Sequence, residues 1–460
     1  MFIMGIFLLI LTNSCFSQGR SVEWNNQTGK ELKLRISDNN RYIVFNDGTP
    51  FFWLGDTAWE LFNRLTREEA DWYLEDRAKK GFTVIQAVLL AELDGLTRPN
   101  AYGYLPFVEG NPEQPVEEYF RHVDYIVDKA ASLGMFIGML PSWGYYWKTN
   151  PENKIRIFTK ENARIYGKLL GSRYGKKPVI WILGGDSNPE NQEELTIIEE
   201  LANGLRLNDE NKQLITFHPR GPGRSSDYFH NSKWLDFNMY QSSHAAKGFD
   251  NGIFAELDRR LSPVKPTIDG EPRYENMVTG FYHSGAHPMN KFTNYDIRTA
   301  AYWSVLAGAC GHTYGNNNIW QMWREGEKEI IGLNIPWYEA LQHPGSYEMM
   351  HMRKMFESLS WEKLEPAQEL IVDGPLNGPS KVRAAIASDK TFMVVYTAKG
   401  EPFTLNLDSL AFNHVSESWF DPRYGNYFTF RKGITLSIKT FTPPVSGEGN
   451  DWVLIIETNK

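Results

Sequence analysis

Two acidic side chains stand directly after apolar runs that we interpret as buried strands. Asp186 follows residues 179–183 and the pair Gly184-Gly185, and Glu271 closes the run Thr267-Ile268-Asp269-Gly270-Glu271. A charge at such a place is costly unless it has a partner or a function. Hydrolysis of a glycosidic bond needs two such acids: one protonates the leaving oxygen, and the other stabilises or attacks the anomeric carbon, roughly 5–5.5 Å away if configuration is retained. The alternative is an ion pair of either acid with Arg98, Arg220 or Arg273.

Strand and helix patterns alternate along the chain and predict the elements that position these acids. Predicted strands cover residues 50–54, 82–90, 135–140, 178–183, 214–217, 235–240, 266–268 and 310–314. The helices between them include 66–80, 116–133 and 160–174, and each of these three is followed by a glycine, Gly81, Gly134 or Gly175, as a left-handed C-cap requires. Eight such units predict an α/β fold, a closed (β/α)8 TIM barrel.

The carboxyl ends of barrel strands build the active site, so residue types at these places are informative. In this sequence they are polar or aromatic, a combination that suits a polyhydroxylated ligand, because amides and imidazoles bind hydroxyls while flat rings cover apolar sugar faces. Loop packing is an equally good explanation for any one of them. The predicted substrate-binding residues are Asp56, Trp59, Gln86, Trp143, Tyr145, His218, Arg220, Tyr240, Gln241, His312, Tyr314 and Asn316.

The two ends of the chain have different patterns. Residues 1–11 are almost wholly apolar, and the small residues Cys15 and Ser17 stand at the usual cleavage positions before Gln18. This predicts a signal peptide over 1–17 and hence export to the periplasm, the cell surface or the medium. Lipidation of Cys15 is the alternative. We expect an N-terminal β segment over 18–49, the barrel over 50–365 and a small C-terminal β-sandwich over 366–460, whose short runs include 382–387, 391–396, 433–438 and 452–456. Structural support is favoured for the sandwich over carbohydrate binding.

Composition and spacing exclude several classes of function. A hydrophobic fraction of 42% and a net charge of -8 indicate a globular protein without a general field for nucleic acid. The N-terminal apolar run is shorter than the roughly 20 residues that a membrane span needs. His283 and His287 have a metal-like spacing, but Gly285 and Pro288 argue against a helix there. We predict no metal, no cofactor and no integral membrane segment.

Three blocks resemble a known family. These are Phe52-Trp53-Leu54-Gly55-Asp56-Thr57-Ala58-Trp59, Trp181-Ile182-Leu183-Gly184-Gly185-Asp186-Ser187-Asn188-Pro189 and Ile268-Asp269-Gly270-Glu271-Pro272. They are similar to the apiosidase-like glycoside hydrolases, family 140, and the C-terminal region looks like the collagen-binding-type β domain that accompanies them. The resemblance implies cleavage of the bond between apiose and galacturonic acid in the plant pectin rhamnogalacturonan II, with Asp186 and Glu271 as the catalytic pair.

The chain departs from the wider barrel-glycosidase clan at one point. Where that clan has Asn-Glu after the fourth strand, this sequence has Gly185-Asp186, which shortens the acid by one methylene and removes an amide that usually holds the substrate's 2-hydroxyl. Retention, with Asp186 as acid/base and Glu271 as nucleophile, is therefore an expectation by analogy. Two alternatives stay open: a non-catalytic carbohydrate-binding protein with a degenerate barrel, and a glycosidase for another sugar such as an arabinofuranoside or a β-linked hexoside.

Overall fold

The structure, a computed structural model, describes residues 32–150, 153, 155–207, 212–332, 335–410, 414–434 and 437–458. The predicted signal peptide and residues 18–31 of the predicted N-terminal segment lie outside the described residues. The rest of that segment forms a hairpin in which β1 (Leu34–Ile36) pairs antiparallel with β2 (Ile43–Phe45). Within the described part of the chain, no helix is both long and apolar enough to cross a membrane.

Eight parallel strands confirm the predicted barrel. The strands of its sheet are β3 (Trp53–Thr57), β4 (Val84–Val88), β5 (Phe136–Leu140), β6 (Val179–Gly184), β7 (Ile215–His218), β8 (Gly223–Arg224), β9 (Asn238–Gln241), β10 (Thr267–Glu271) and β11 (Gly311–Tyr314). Their order is β7-β6-β5-β4-β3-β11-β10-β9-β8, and the Asp236 amide donates to the Ile215 carbonyl (2.9 Å) across the gap between β7 and β9. The two-residue β8, which pairs antiparallel with β9, was not predicted.

Helices cover the outside of the barrel, and their starts follow local capping chemistry. The helices are α1 (Leu61–Arg64), α2 (Arg67–Lys79), α3 (Glu117–Ser132), α4 (Lys160–Tyr174), α5 (Gln192–Arg206), α6 (Ser226–Phe229), α7 (Gly252–Arg259), α8 (Asn294–Leu306), α9 (Trp337–Ala340) and α10 (Pro344–Glu357). A reciprocal capping box of Thr66 and Glu69 begins α2. Gly81 and Gly134 are left-handed, with φ of 74° and 79°, but Gly175 has φ of -58°, so the predicted left-handed cap of α4 is wrong.

The C-terminal region is a two-layer β domain, as predicted. Its strands are β12 (Leu364–Pro366), β13 (Ile371–Asp373), β14 (Val382–Ala387), β15 (Phe392–Thr397), β16 (Phe403–Asn406), β17 (His414–Asp421), β18 (Asn426–Ile434), β19 (Ile438–Phe441) and β20 (Trp452–Thr458). They form a six-stranded sheet, β12-β14-β15-β20-β17-β18, and a three-stranded sheet, β13-β16-β19. The predicted strand over 433–438 is wrong, because Gly433 belongs to β18 and a separate strand begins at Ile438.

The barrel and the β domain share a buried contact. The guanidinium of Arg298, on α8, donates to both carboxylate oxygens of Asp451 (2.9 and 2.6 Å). Beside this pair, the rings of Tyr302 and Tyr396 stack in parallel at 4.7 Å. A bidentate ion pair and a ring stack, both inside the protein, tie the domain to the helical shell of the barrel. The role of structural support that the sequence favours for the β domain stays a prediction.

Strand boundaries differ from the predicted ones in a way that affects the site. The predicted strand over 50–54 is β3, which runs from Trp53 to Thr57, and the predicted strand over 266–268 is β10, which continues to Glu271. Asp56 and Asp269 therefore lie inside strands, where side chains point into the barrel or its helical shell, and not at the rim.

Candidate active site

The carboxyl ends of the barrel strands surround a cavity of about 440 Å³. Its volume falls in the range of small-molecule sites. Aromatic side chains and Arg220 form much of its wall, and both acids that the sequence singled out reach it. The predicted site residues that line the cavity are Trp59, Trp143, Asp186, Arg220, Gln241 and Glu271.

Asp186 is held in an unusual backbone conformation. Gly184, Gly185 and Asp186 have successive φ values of 98°, 89° and 48°. The Gly185 carbonyl accepts the Gly144 amide at 2.9 Å, and a Cβ on Gly185 would lie only 2.9 Å from the Cα of Trp143. Glycine is required there because the loop after β5 packs against this backbone. The turn directs the half-buried Asp186 side chain over the cavity.

Glu271, the last residue of β10, is held by two imidazoles. Its Oε1 accepts a hydrogen bond from Nε2 of His244 (3.0 Å), and its Oε2 lies 2.9 Å from Nε2 of His218. Nδ1 of His218 accepts the backbone N–H of Asp186 (3.3 Å). That bond fixes the tautomer of His218 with its proton on Nε2, facing Glu271. One imidazole ring thus separates the backbone of Asp186 from the carboxylate of Glu271.

The two acids have opposite pKa shifts. Burial raises the pKa of Asp186 to about 6, and the negative charge of Glu271 adds to the rise. Burial alone would raise the pKa of Glu271, but the contacts of His218 and His244 outweigh it and lower the pKa to about 2. Between these values one carboxyl keeps its proton while the other is ionised. This is the combination that a general acid and a nucleophile require.

The strand that ends in Glu271 is irregular next to the site. Asp269 pairs with Tyr240 and Glu271 with Gln241, so β10 has a bulge at Gly270. Nε2 of Gln86 donates across the barrel to the Gly270 carbonyl (2.8 Å). Bulges re-aim side chains near active sites, and this hydrogen bond holds the bulge in place. Gln86 therefore acts on the position of Glu271 from below the cavity.

The other predicted substrate-binding residues lie outside the cavity wall, and most of them contact other protein groups. Asp56 is fully buried with Arg77 and Tyr73, and His218 lies behind Glu271. Tyr145 packs edge-on against Tyr146 (4.8 Å), and the Tyr240 hydroxyl bonds to Ser304 (2.5 Å). His312 is fully buried inside the barrel, the Tyr314 hydroxyl donates to Glu275 (2.6 Å), and Asn316 bonds to Nδ1 of His343 (2.7 Å).

The cavity also contains residues that the sequence reasoning missed. Glu92, His244 and Tyr274 line it, and His244 packs against the ring of Tyr274 at 4.6 Å. The sequence could have indicated Glu92, because it is the first carboxyl after the apolar run of the second strand. His244 follows the polar run Gln241-Ser242-Ser243, which continues the end of β9. Among the described residues, no group of three His, Cys, Asp or Glu side chains is arranged to hold a metal ion.

A second cavity, of about 290 Å³, lies at the opposite end of the barrel. Its wall includes Phe136, Pro178 and Val179, which are at or next to the starts of β5 and β6, together with Leu34 of the N-terminal hairpin. In barrel enzymes this face serves stability and the other face serves catalysis. We therefore place the chemistry in the cavity that contains the two acids.

Comparison with known proteins agrees with this geometry. The family model "Apiosidase-like, catalytic domain" matches residues 37–363, and "Putative collagen-binding domain of a collagenase" matches residues 366–457. No curated protein matches the chain.

Solved structures show similarity over nearly the whole chain. A structure titled "Glycoside hydrolase" is 32% identical, with a TM-score of 0.84, over 93% of this chain and 97% of the other. A glycoside hydrolase family 5 protein from Bacteroides vulgatus is 30% identical, with a TM-score of 0.84, over 93% of each chain. A family 5 mannosidase from Rhizomucor miehei, in complex with mannosyl-fructose, is 12% identical with a TM-score of 0.52, over 72% of this chain and 99% of the other, and shows the fold alone. The chain belongs to the apiosidase-like family and is a glycoside hydrolase.

Proposed function

We propose that the protein hydrolyses the bond between apiose and galacturonic acid in rhamnogalacturonan II, with retention of configuration. The observation that carries the mechanism is the pair of acids in one cavity whose pKa values are pushed apart, to about 6 for Asp186 and about 2 for Glu271. The identity of the sugar rests on the family that the chain belongs to.

The reaction has two steps in this proposal. Glu271 attacks the anomeric carbon and forms a glycosyl ester while Asp186 gives its proton to the departing oxygen, which releases the galacturonate chain as an alcohol. Water then enters, Asp186 takes one of its protons, and the resulting hydroxide attacks the same carbon and frees Glu271. Both acids return to their starting states, so each turnover consumes one water and one glycosidic bond.

The position of Arg220 favours a substrate whose leaving group carries a negative charge. Its side chain is exposed on the cavity wall, and no hydrogen bond or salt bridge among the described residues holds its guanidinium. Arg224, by contrast, pairs with Asp227 and Asp258. Arg220 follows β7, the strand next to the one that carries Asp186, and Asp186 is the acid that protonates the leaving oxygen. A guanidinium at this place suits the carboxylate of a galacturonate residue.

Export of the protein is part of the same proposal. A pectic polymer lies outside the cell, and the apolar N-terminal run with small residues before Gln18 supplies a signal for export. N-terminal sequencing of the protein from its natural cell envelope or medium tests this: a mature chain that begins at or near Gln18 agrees, and an intact Met1 contradicts it.

The catalytic assignment is tested with Asp186→Asn and Glu271→Gln. We expect each to lower kcat/KM on rhamnogalacturonan II fragments by at least about 1000-fold, because each removes a group that takes part in bond breaking. Circular dichroism and oligosaccharide affinity should stay close to those of the wild type. Glu190→Gln, a change at an exposed carboxyl four residues after Asp186, is the matched control and should be as active as the wild type.

Azide rescue separates the two roles. With an activated aryl apioside, azide should restore turnover of a Glu271→Ala variant and give a glycosyl azide of inverted configuration, while Asp186→Ala should give the retained azide. Binding of pectic oligosaccharides without any product from the wild type would refute the proposal and favour a carbohydrate-binding protein.

A further inference from the structure

A third carboxyl group, that of Glu92, faces the same cavity. Glu92 lies four residues after β4, and the backbone on either side of it is fixed: the Leu93 amide donates to Oε1 of Glu60 (3.0 Å), and the Leu90 carbonyl accepts the Trp143 amide (3.0 Å). The half-buried Glu92 side chain lines the cavity together with Asp186 and Glu271. Its position is thus set by the loops after β3 and β5.

The carboxyl of Glu92 has no protein partner among the described residues. No hydrogen bond or ion pair reaches it, whereas Glu60 next to it bonds to Leu93 and lies 3.8 Å from the guanidinium of Arg64. The neighbouring wall is apolar or aromatic, with Trp59 and Leu93. A carboxyl group placed without a partner beside two others lowers stability, and such positions persist where a ligand supplies the missing contacts.

The order of the strands places Glu92 and Arg220 on different sides of the cavity. Asp186 after β6 and Glu271 on β10 divide the rim into two arcs. Arg220, after β7, stands on one arc, and Glu92, after β4, stands on the other with Trp59, after β3. A disaccharide unit whose glycosidic bond lies between the two acids presents one ring to each arc.

We propose that Glu92 binds hydroxyl groups of the neutral sugar on the glycone side and excludes glycones that carry a carboxylate. The inference rests on the proposed function. There, Asp186 is the acid and Arg220 binds the uronate of the leaving group, so the glycone must lie on the opposite arc. Glu92 is thereby a specificity residue: it contacts the sugar but takes no part in bond breaking.

The protonation of Glu92 agrees with this role. Burial raises the pKa of Glu92 well above its usual value, and the charges of Asp186, Glu60 and Glu271 raise it further. An uncharged carboxyl group both donates and accepts, so it can serve two sugar hydroxyls at once. A carboxylate on the ligand would face the ionised Glu271, and no Lys or Arg among the described residues lines this arc of the cavity to neutralise it.

The test uses Glu92→Ala, Glu92→Gln and the control Glu113→Ala, which changes an exposed carboxyl in the same loop. The substrates are a panel of aryl glycosides with a neutral aglycone: an apioside, an arabinofuranoside, a mannoside and a galacturonide. On every neutral glycoside that the wild type cleaves, Glu92→Ala should lower kcat/KM by about 10- to 100-fold through loss of hydrogen bonds to hydroxyls. Glu92→Gln keeps a donor and an acceptor and should stay within about threefold, as should Glu113→Ala.

Thermal unfolding separates binding from a structural role. Removal of a carboxyl that lacks a partner should leave the melting temperature of Glu92→Ala unchanged or raised. A melting temperature lowered by more than about 5 °C, wild-type kcat/KM in Glu92→Ala, or faster cleavage of the galacturonide than of the neutral glycosides would each overturn the inference. Failure of the proposed function is a distinct result, since the apioside would then remain intact while another neutral member of the panel is cleaved.

Discussion

Asp56 offers a direct test of whether a residue near the site binds substrate or supports the barrel. Its Oδ2 lies 2.5 Å from Nε of Arg77 and accepts the Tyr73 hydroxyl at 2.6 Å. The side chains of Asp56 and Arg77 are both completely buried. Asp56→Asn removes the charge and almost nothing of the volume, so it leaves the guanidinium without its nearest counter-charge. We expect a large loss of stability and little loss of catalysis.

The size of the effect follows from the burial of the pair. Breaking a buried ion pair by removing one partner costs about 3–5 kcal/mol. Asp76 lies 2.7 Å from Nη1 of Arg77 and still neutralises part of its charge in the variant. We therefore expect a loss of unfolding free energy near the lower end of this range, about 3 kcal/mol. At an unfolding entropy of about 2.1 cal/mol/K per residue, a barrel of roughly 300 residues should lose about 4–5 °C in melting temperature.

The assay is a double-mutant cycle read by thermal unfolding, with steady-state kinetics at 25 °C. The double variant Asp56→Asn, Arg77→Met should recover much of the stability that Asp56→Asn loses, because the unpaired charge is gone. The kcat/KM of the single variants Asp56→Asn and Arg77→Met and of the double variant should stay within about threefold of the wild type. An unchanged melting temperature in Asp56→Asn together with a KM raised more than about tenfold would refute this reasoning and restore Asp56 as a substrate contact.

Two further predictions concern the cavity. The wild-type kcat/KM should fall as the pH rises through about 6, because Asp186 must keep its proton to act as the acid. On the acid side, kcat/KM should stay constant until Glu271 is protonated near pH 2 or the chain unfolds. A profile that is flat from about pH 5 to about pH 8 would contradict the assignment. Arg220→Ala should raise the KM for an apiosyl-galacturonate substrate by about 10- to 100-fold and leave an aryl apioside within about threefold, through loss of a bidentate charge contact; equal effects on both substrates would show that Arg220 does not bind the uronate.

The sequence predicted the fold well because the barrel depends on patterns that are local. Helix starts follow capping residues, such as Thr66 with Glu69, and strands follow apolar runs. The sequence could also indicate the two acids, because Asp186 and Glu271 both come at or after the end of a strand. What failed were the exact ends of strands. A shift of three residues at β3 moves Asp56 from the rim into the barrel wall.

Interior and rim positions of a barrel cannot be told apart by residue type. Gln86, Tyr240, His312 and Tyr314 have the polar atoms of ligand-binding residues, yet all lie within strands and are buried. A barrel interior of this width places polar groups from opposite strands within reach of one another, as the contact of Gln86 with Gly270 shows. Such contacts join residues that are far apart in sequence, so no local pattern reports them.

The departure from Asn-Glu to Gly185-Asp186 has a structural explanation. Three consecutive residues with positive φ, ending at Asp186, bring the chain against the loop after β5, where Gly144 and Trp143 leave no space for a Cβ at position 185. A left-handed residue other than glycine is tolerated best when its side chain is short and polar, as that of aspartate is. The backbone N–H of the same residue fixes the tautomer of His218, whose other nitrogen faces Glu271. The strained turn therefore sets the position of the acid and the environment of the nucleophile together.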